Sequence, residues 1–528
     1  MKSRLSLFLI LGIIVLSILI GFFFWRSKNL KPIPEFNENQ YNTPISSTYL
    51  PKNTDFVFHW KLNPTQLPNH IGNYQDKFNK TILNKKISFI RDSSFKFISL
   101  DFAKDISNWV GDYGSFAVVN SNQKLINDWI MVLGIKDNIN IEEELESITD
   151  PKTIDESIKL SNNLGEPRTE IFSKKINSNY SIYLTKDKDN ILIASNPKTI
   201  ISSIEQSAKN TLNTKENYKY IQIKDNLNDG FLLLEVSPKK ILNRIGQENK
   251  ILAFNEIKTL ISSINIDKNK LIFEGILSFD VKSQMPFKTL YYDLSDNEKN
   301  LEPSEDYILV DNPNQYFRND PSHPYQKFIA SLIKESATTD YSNLFKIILE
   351  KSRGNLFWIN DKDWYILTSK SDTSKQEISD ILKEDKFLSS NLDFKNRKLE
   401  VWSKISTDEN EKYHIKEDIE AIIDEDEKTY IWSQSLSSIS NFDKINFLQN
   451  YSEIEHDTDK ILDFNEILKI HLGEEKTKVF LNNFYPYILF KTMLGNKLAP
   501  PQNIDISISV PTINYSDFIK FKINVKTS

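Results

Sequence analysis

The sequence contains no cysteine and little glycine, and each shortage excludes a class of function. Without cysteine the chain cannot form disulfides, thiolate zinc sites, iron–sulfur clusters or a cysteine nucleophile. Glycine supplies 13 of 528 residues, well below the usual share of about 7%. Glycine-rich loops that bind nucleotide phosphates are therefore not expected. The compartment stays open, because a protein without thiols tolerates oxidising and reducing surroundings alike.

The sequence also lacks the residue spacings of common catalytic and metal sites. No HExxH, HxH, GxSxG or GxxxxGK[ST] pattern occurs. The acidic run 424–427 could attract calcium, but its counterpart at 186–189 alternates in charge, so a solvated hairpin tip is the better interpretation. We therefore predict no catalytic, metal-binding or cofactor-binding residues and no cofactor. The six histidines are scattered along the chain: His59, His70, His323, His414, His456 and His471.

Length and composition predict a modular, folded protein. A chain of 528 residues allows two to four domains. Apolar residues make up 39% and charged residues 26%, which is enough apolar material for real cores.

The strongest local signal is an uncharged, apolar run from Leu5 to Trp25. As a helix it would span about 31 Å, close to the roughly 30 Å hydrocarbon core of a bilayer. A cleaved signal peptide is the alternative, but this run is longer than the usual apolar region and ends in three phenylalanines and Trp25 instead of small residues. We predict one N-terminal transmembrane helix that is retained as a signal anchor.

The distribution of charge bears on the orientation in the membrane and on the class of partner. Basic residues flank the run on both sides, and we favour a cytoplasmic N-terminus with the body across the membrane. The first 31 residues hold five basic and no acidic residues, and the remainder carries 61 basic and 72 acidic residues, a charge of −11. An acidic body disfavours nucleic acid as a partner.

The rest of the chain suggests a tether followed by the same unit twice. Residues 26–49 contain three prolines among polar residues and predict a polar tether. We predict a first repeat at 50–282, a polar connection at 283–301 and a second repeat at 302–528. Five segment pairs recur in order at offsets of roughly 230–245 residues: 114–120 with 354–360, 128–133 with 363–368, 170–174 with 400–404, 182–194 with 421–432, and 272–281 with 518–525.

Within one repeat the pattern predicts strands joined by short turns, with helices between them. Strands are expected at 55–61, 115–119, 129–135, 182–185, 191–194, 230–235, 263–267 and 271–280. Helices are expected after the Asn-Pro at 63–64, at 141–148, from Pro197 and at 238–245. Asn196 is expected to cap the helix that begins at Pro197. The predicted fold class is α+β, as two tandem copies of a mainly antiparallel sheet-plus-helix unit after the transmembrane helix.

Four segments resemble one family. They are 49–58, beginning Tyr-Leu-Pro-Lys-Asn-Thr-Asp-Phe, the Leu-Asn-Pro at 62–64, Ile-Ser-Asn-Trp-Val-Gly-Asp at 106–112, and Ile-Leu-Ile-Ala-Ser-Asn-Pro at 191–197. Together they are similar to the cyanobacterial domain of unknown function 3352 family. The resemblance implies a single-span membrane protein with a large exposed body, and it implies no activity.

One local group is singled out as a possible functional turn. Trp109, Gly111 and Asp112 lie together ahead of a predicted strand, and the second repeat has Lys-Ser-Arg-Gly at the matching place. A catalytic role for the Asp112 carboxylate is one interpretation. A structural Asp in a tight turn beside a packed Trp is the more ordinary interpretation.

Three functions are compatible with these features. The first is a membrane-tethered, non-enzymatic binding or scaffold protein, whose duplicated body faces the periplasm or the thylakoid lumen and binds a protein partner. The second is a carrier of lipid or another hydrophobic ligand, with its site between the two copies. The third is an enzyme without a recognisable motif.

Overall fold

The structure is a computed structural model, and it describes most of the chain in segments. These are residues 45–51, 54–72, 77–119, 128–137, 139, 141–149, 171–177, 180–209, 230, 232–237, 257–267, 270–279, 306–317, 324–337, 343–360, 364–407, 415–425, 429–441, 464–483, 501–511 and 518–527.

Nineteen strands in the described residues form one sheet, and every pairing is antiparallel. They are β1 Thr54–Trp60, β2 Val110–Val119, β3 Asp128–Ile135, β4 Phe172–Asn177, β5 Tyr180–Asp187, β6 Asn190–Ala194, β7 Leu232–Val236, β8 Ile257–Asp267, β9 Lys270–Phe279, β10 Asp306–Val310, β11 Leu356–Asn360, β12 Trp364–Ser369, β13 Leu388–Phe394, β14 Arg397–Thr407, β15 Ile415–Glu425, β16 Thr429–Ser433, β17 Phe464–Leu472, β18 Pro501–Pro511 and β19 Phe518–Thr527.

The strands follow one path across the sheet. The pairings give the order β4-β5-β6-β3-β2-β1-β7-β8-β9 and then β19-β18-β17-β10-β11-β12-β16-β15-β14-β13. We call β1–β9 the first half and β10–β19 the second half. Among the described residues, the order of strands outward from the β9–β19 junction is the same in both halves, and the second half continues by one more strand, β13. The segment that precedes β4, residues 150–170, lies outside the described residues.

The prediction of two units, each with its own sheet, was wrong. β9 and β19 pair antiparallel over nine residue pairs, from Phe518 opposite Ser278 to Lys526 opposite Lys270. The physical reason is that each half ends in a long strand whose outer backbone groups need partners, and pairing the two removes both edges. The α+β content is confirmed, because helices pack on this sheet.

The helices cover the two faces of the sheet unequally. On the first face, the largest apolar cluster joins strands of both halves to residues of the helices Lys77–Phe97, Ile141–Ile148, Pro324–Ala337, Asn343–Lys351, Lys375–Glu384 and Glu474–Asn483. On the second face, smaller clusters include residues of the 3-10 helix Ile45–Tyr49 and of the helices Pro197–Lys209 and Leu436–Asn441. The other short helical elements are Leu67–Gly72, the π-helical turn Phe102–Ile106 and Asn314–Phe317.

Local sequence explains several of these elements. The helix Ile141–Ile148 buries Ile141, Leu145 and Ile148, which are spaced four and three residues apart and so share one side of the helix. The backbone N–H of Lys198 donates to the side-chain oxygen of Asn196 at 2.9 Å, as expected of a helix cap. Strand β1 is buried at its five central residues, because helices or loops cover it on both faces.

The predicted anchor, from Leu5 to Trp25, lies outside the described residues. Among the helices that the structure describes, none is both long and apolar enough to span a bilayer. The predicted connection 283–301 also lies outside the described residues. The end of the predicted tether is described, and residues Ile45–Tyr49 form a 3-10 helix in which Ser46, Ser47 and Tyr49 are buried.

Candidate functional site

The predicted functional turn lies at the start of strand β2, with Trp109 directly before the strand and Gly111 and Asp112 within it. The register of β2 against β3 shifts between Val110 and Gly114, so the residues between them form a bulge. Trp109 is fully buried, and its indole N–H donates to the backbone oxygen of Asp105 at 2.6 Å. A Cβ at Gly111 would lie 3.1 Å from the backbone oxygen of Gly134, which accounts for glycine there.

The third member of that predicted group, Asp112, is exposed to solvent. The ring of the next residue, Tyr113, packs against Gly134. A Cβ at Gly134 would lie 2.6 Å from the Tyr113 ring. Burial raises the pKa of the Tyr113 hydroxyl, and the negative charges of Asp189 and Asp137 raise it further. The close contacts therefore belong to Trp109, Gly111 and Tyr113, and they fix the bulge.

A polar cleft of about 450 Å³ lies beside this bulge. Two of its three lysines already have partners in the protein. The Lys136 ammonium donates to the backbone oxygens of Ser107 and Asn108, and Lys186 lies 3.0 Å from Glu142. Small-molecule sites are mostly apolar with a few polar groups, so this cleft is a poor candidate. Its lining is Ile135, Lys136, Asp137, Ile139, Ile141, Lys186, Lys188 and Asp189.

A chain of buried polar side chains crosses β1 and β2. His59 lies opposite Ser115 in the register, and its Nδ1 is 2.6 Å from the Ser115 hydroxyl oxygen. That hydroxyl also bonds to the Ser46 hydroxyl at 2.7 Å. A serine beside a histidine can act as a nucleophile and its base. Here the relative exposures of Ser46, His59 and Ser115 are 0%, 2% and 0%, so these bonds join the 3-10 helix to the sheet.

The second half has a carboxyl group at the place of His59. Phe58 pairs with Phe116 and is followed by His59, while Val310 pairs with Leu356 and is followed by Asp311. Asp311 is 4% exposed, and its Oδ1 has no hydrogen-bond partner.

Burial, opposed by a bond from the Asn312 backbone N–H and assisted by the negative charge of Asp372, raises the pKa of Asp311 to about 7. The acid therefore titrates near neutral pH.

The described residues contain no group of three or more His, Asp and Glu side chains that could hold a metal ion. His471 lies 2.5 Å from Asp505 through Nδ1, and its ring stacks on Tyr307 with centroids 5.3 Å apart. His59 and His471 thus both have buried structural contacts. The proposed ligand site between two copies corresponds to the β9–β19 junction, which is a hydrogen-bonded ladder.

The strongest candidate site is strand β13, the outer edge of the second half among the described residues, which sequence reasoning missed. Strand β13 pairs with β14 over seven successive residue pairs without a shift in register. Six of its seven residues are exposed. An edge strand presents backbone N–H and C=O groups that can accept another strand.

Turn geometry fixes which backbone groups of β13 point outward. The hairpin to β14 has two loop residues, Lys395 and Asn396, with φ of 48° and 64°. Two positive φ values are characteristic of a type I′ turn, which is closed by a hydrogen-bonded pair, here Phe394 and Arg397. Hydrogen-bonded pairs alternate along the ladder. The backbone groups of Ser389, Asn391 and Asp393 therefore point away from β14.

An exposed apolar patch lies on one face of the same edge. Ser403 pairs with both Leu388 and Ile419, which places these residues on one face with Leu392 and Ile405. Their relative exposures are 57% for Leu388, 43% for Ile419, 37% for Leu392 and 56% for Ile405. Exposed apolar groups that share one face beside a strand edge are available to a protein partner.

The comparisons with known proteins identify a family and no activity. No curated protein and no solved structure matches the chain. The family model described as "Protein of unknown function (DUF3352)" matches residues 9–527, nearly the whole chain. The chain therefore belongs to the DUF3352 family of proteins of unknown function.

Proposed function

We propose that this protein is a membrane-tethered, non-enzymatic scaffold that binds protein partners by strand addition at β13. The observation that supports it is the combination of an exposed, regular edge strand with an adjoining apolar patch. In strand addition, backbone hydrogen bonds give affinity and the side chains of alternate residues give specificity. The β13 edge offers both.

The proposal places the protein at a cyanobacterial membrane as a single-pass protein. The support is the apolar run from Leu5 to Trp25, which has the length of a bilayer-spanning helix. In this arrangement the N-terminus is cytoplasmic, and the sheet lies in the periplasm or the thylakoid lumen. Tethering confines the binding edge close to the membrane, where its partners would be concentrated.

Sidedness can be tested by labelling single cysteines, because the native chain has none. Ile45 is 63% exposed, whereas its neighbour Ser46 is fully buried. In intact membrane vesicles or spheroplasts, an impermeant maleimide should label Ile45→Cys from the non-cytoplasmic side and Lys2→Cys only from the cytoplasmic side. Ser46→Cys is the matched control and should stay unlabelled until the protein is denatured. Cytoplasmic labelling of Ile45→Cys, or recovery of the protein in the soluble fraction, would contradict the proposed location.

Binding at the edge can be tested by introducing a photo-crosslinking amino acid into the full chain and irradiating membranes that contain it. Asn391 on β13 and Lys175 on β4 are both exposed and both lie on edge strands. We expect a discrete crosslinked product from position 391 and none above background from position 175. Equal crosslinking from both positions, or none from either, would contradict binding by strand addition at β13.

A further inference from the structure

We infer that the strand which adds to β13 is β13 of a second copy of this chain, in an antiparallel two-fold ladder centred on Asn391. This inference rests on the proposed function, because it names the partner at the same edge. It would join two sheets edge to edge across the two-fold axis.

The backbone groups of β13 are arranged symmetrically for such pairing. The outward groups belong to Ser389, Asn391 and Asp393, which are evenly spaced about Asn391. A two-fold axis through Asn391 places Asn391 opposite itself and Ser389 opposite Asp393 of the second copy. Each hydrogen-bonded pair exchanges two bonds, so this register makes about six inter-chain bonds. If the axis moved by one residue to Ser390, Ser389 would lie opposite Asn391 of the second copy. Asp393 would then lie beyond the end of the partner strand, so fewer inter-chain bonds would form.

The side chains of β13 are compatible with the same register. On the patch face, Leu388 lies opposite Phe394 of the second copy, and Ser390 lies opposite Leu392. On the other face Asp393, the single charged residue of β13, lies opposite Ser389 and not opposite its own copy. Like charges directly opposite each other destabilise a sheet. The register therefore joins apolar residues without opposing the two carboxylates.

The sequence of β13 contains few of the usual obstacles to edge pairing, of which Asp393 is the single charge. Natural edge strands are protected by charged side chains, especially lysine, and by proline, bulges or very short length. β13 has no lysine, no proline and no register shift over its seven residue pairs. A seven-residue ladder is a small interface and would be weak in solution. Confinement of both copies to one membrane raises their effective concentration and would favour the pair.

The register can be tested with cysteines in the full chain, in its membrane or in detergent. Cα atoms of a hydrogen-bonded antiparallel pair are about 5.5 Å apart, within the range that a disulfide spans. Asn391→Cys should therefore form a disulfide-linked homodimer under mild oxidation. Ser389→Cys is the matched control, because its two copies would lie about 14 Å apart along the ladder. We expect at least about tenfold more dimer from Asn391→Cys than from the control.

Mixing variants tests the pairing rule. Ser389→Cys and Asp393→Cys lie opposite each other in this register. Each variant alone should remain monomeric on a non-reducing gel, and the mixture should give a dimer. Asn391→Cys should also be unable to cross-link when Ser390→Lys is added to block the edge.

Failure of the inference is distinguishable from failure of the proposed function. Cross-linking of Asn391→Cys at no more than the level of the Ser389→Cys control would overturn the second-copy inference. If the photo-crosslinker at 391 then still gives a product with a different polypeptide, scaffolding through β13 stands with another partner. If neither experiment gives a product, both proposals are wrong.

Discussion

In the described part of the chain, the two halves of the sheet share their strand order outward from the β9–β19 junction, yet their outermost strands differ. The outermost described strand of the first half is β4, which has two adjacent lysines and a register shift between Lys175 and Asn177. Lys174 also forms an ion pair with Asp105 at 3.8 Å. The second half ends in β13, which has neither lysine nor register shift.

The difference concerns the protection of the two outermost described strands against pairing. Lysines and bulges are devices by which natural proteins prevent strand addition. β4 has both and β13 has neither, so β4 serves as the comparison strand for β13.

A second difference concerns the buried polar residue near the end of β1, His59, and its counterpart directly after β10, Asp311. In the first half, His59 bonds to Ser115 and the polar chain continues to Ser46. In the second half, the equivalent Asp311 has an oxygen without a hydrogen-bond partner. A buried carboxyl in that state destabilises the fold when it ionises.

The largest expected effect follows from Asp311. Its folded pKa of about 7 lies above the unfolded value, so the stability contributed by the protonated form is fully present below about pH 4 and is lost as the pH rises through about 7. We expect Asp311→Asn to raise the free energy of unfolding at pH 8 by on the order of 2–4 kcal/mol and to change it little at pH 4.

Urea unfolding at the two pH values measures this effect. Asp112→Asn is the control, because Asp112 is exposed and surface substitutions change stability by less than about 0.5 kcal/mol. An Asp311→Asn variant that is equally destabilised at both pH values would contradict this account, because removing a group that titrates near neutral pH must change the stability by different amounts at pH 4 and pH 8.

The junction between the halves should be the next most sensitive point. A Cβ at Gly275 in β9 would lie 2.4 Å from the ring of Phe521 in β19 and 2.6 Å from the backbone oxygen of Ile261. We expect Gly275→Ala to destabilise the protein by about 1–3 kcal/mol and to increase hydrogen exchange in β9 and β19. Ser278→Ala, in the same strand, serves as the control. Unchanged exchange in β19 would mean that the junction is not the ladder described.

Introducing a lysine into β13 should make this strand resemble β4 and weaken self-association. We expect Asn391→Lys to weaken self-association in sedimentation velocity by about tenfold, since it places a charge opposite its own copy on the two-fold axis. The residue is exposed, so the unfolding midpoint should not move. The same substitution with unchanged sedimentation would contradict pairing at β13.

Removing protection from β4 should have the smallest effect. The double variant Lys174→Thr, Lys175→Ile discards both lysines, but the register shift between Lys175 and Asn177 remains. We expect at most a weak gain of association through β4, detectable by crosslinking from position 176 at high protein concentration. Association as strong as that of β13 would show that charge alone protects the edge.

Much of the local structure followed from sequence pattern. The helix Ile141–Ile148 was predicted at its observed bounds, and the β5–β6 hairpin and the Asn196 cap were predicted close to theirs. Each depends on residues near one another in the chain. Apolar spacing, turn residues and caps are sufficient to predict such elements.

The long-range features did not follow from pattern. The pairing of β9 with β19 joins segments about 250 residues apart, and the sequence of neither strand identifies the strand with which it pairs. The group around Trp109 and Gly111 was interpreted as a turn, but contacts with Gly134 make it a bulge. Residues 387–394 contain no lysine and no proline, although Lys386 and Lys395 lie on either side of them. This short run was the one sequence signal that could have pointed to an unprotected strand at β13.

Hydrogen exchange of the full chain as a function of its concentration tests the account most directly. The outward amides of Ser389, Asn391 and Asp393 should exchange quickly in dilute protein and become protected as the concentration rises, while the amides of β4 should not change. Exchange in β13 that stays fast at every concentration, or slows equally in β4, would contradict an edge built for a second copy.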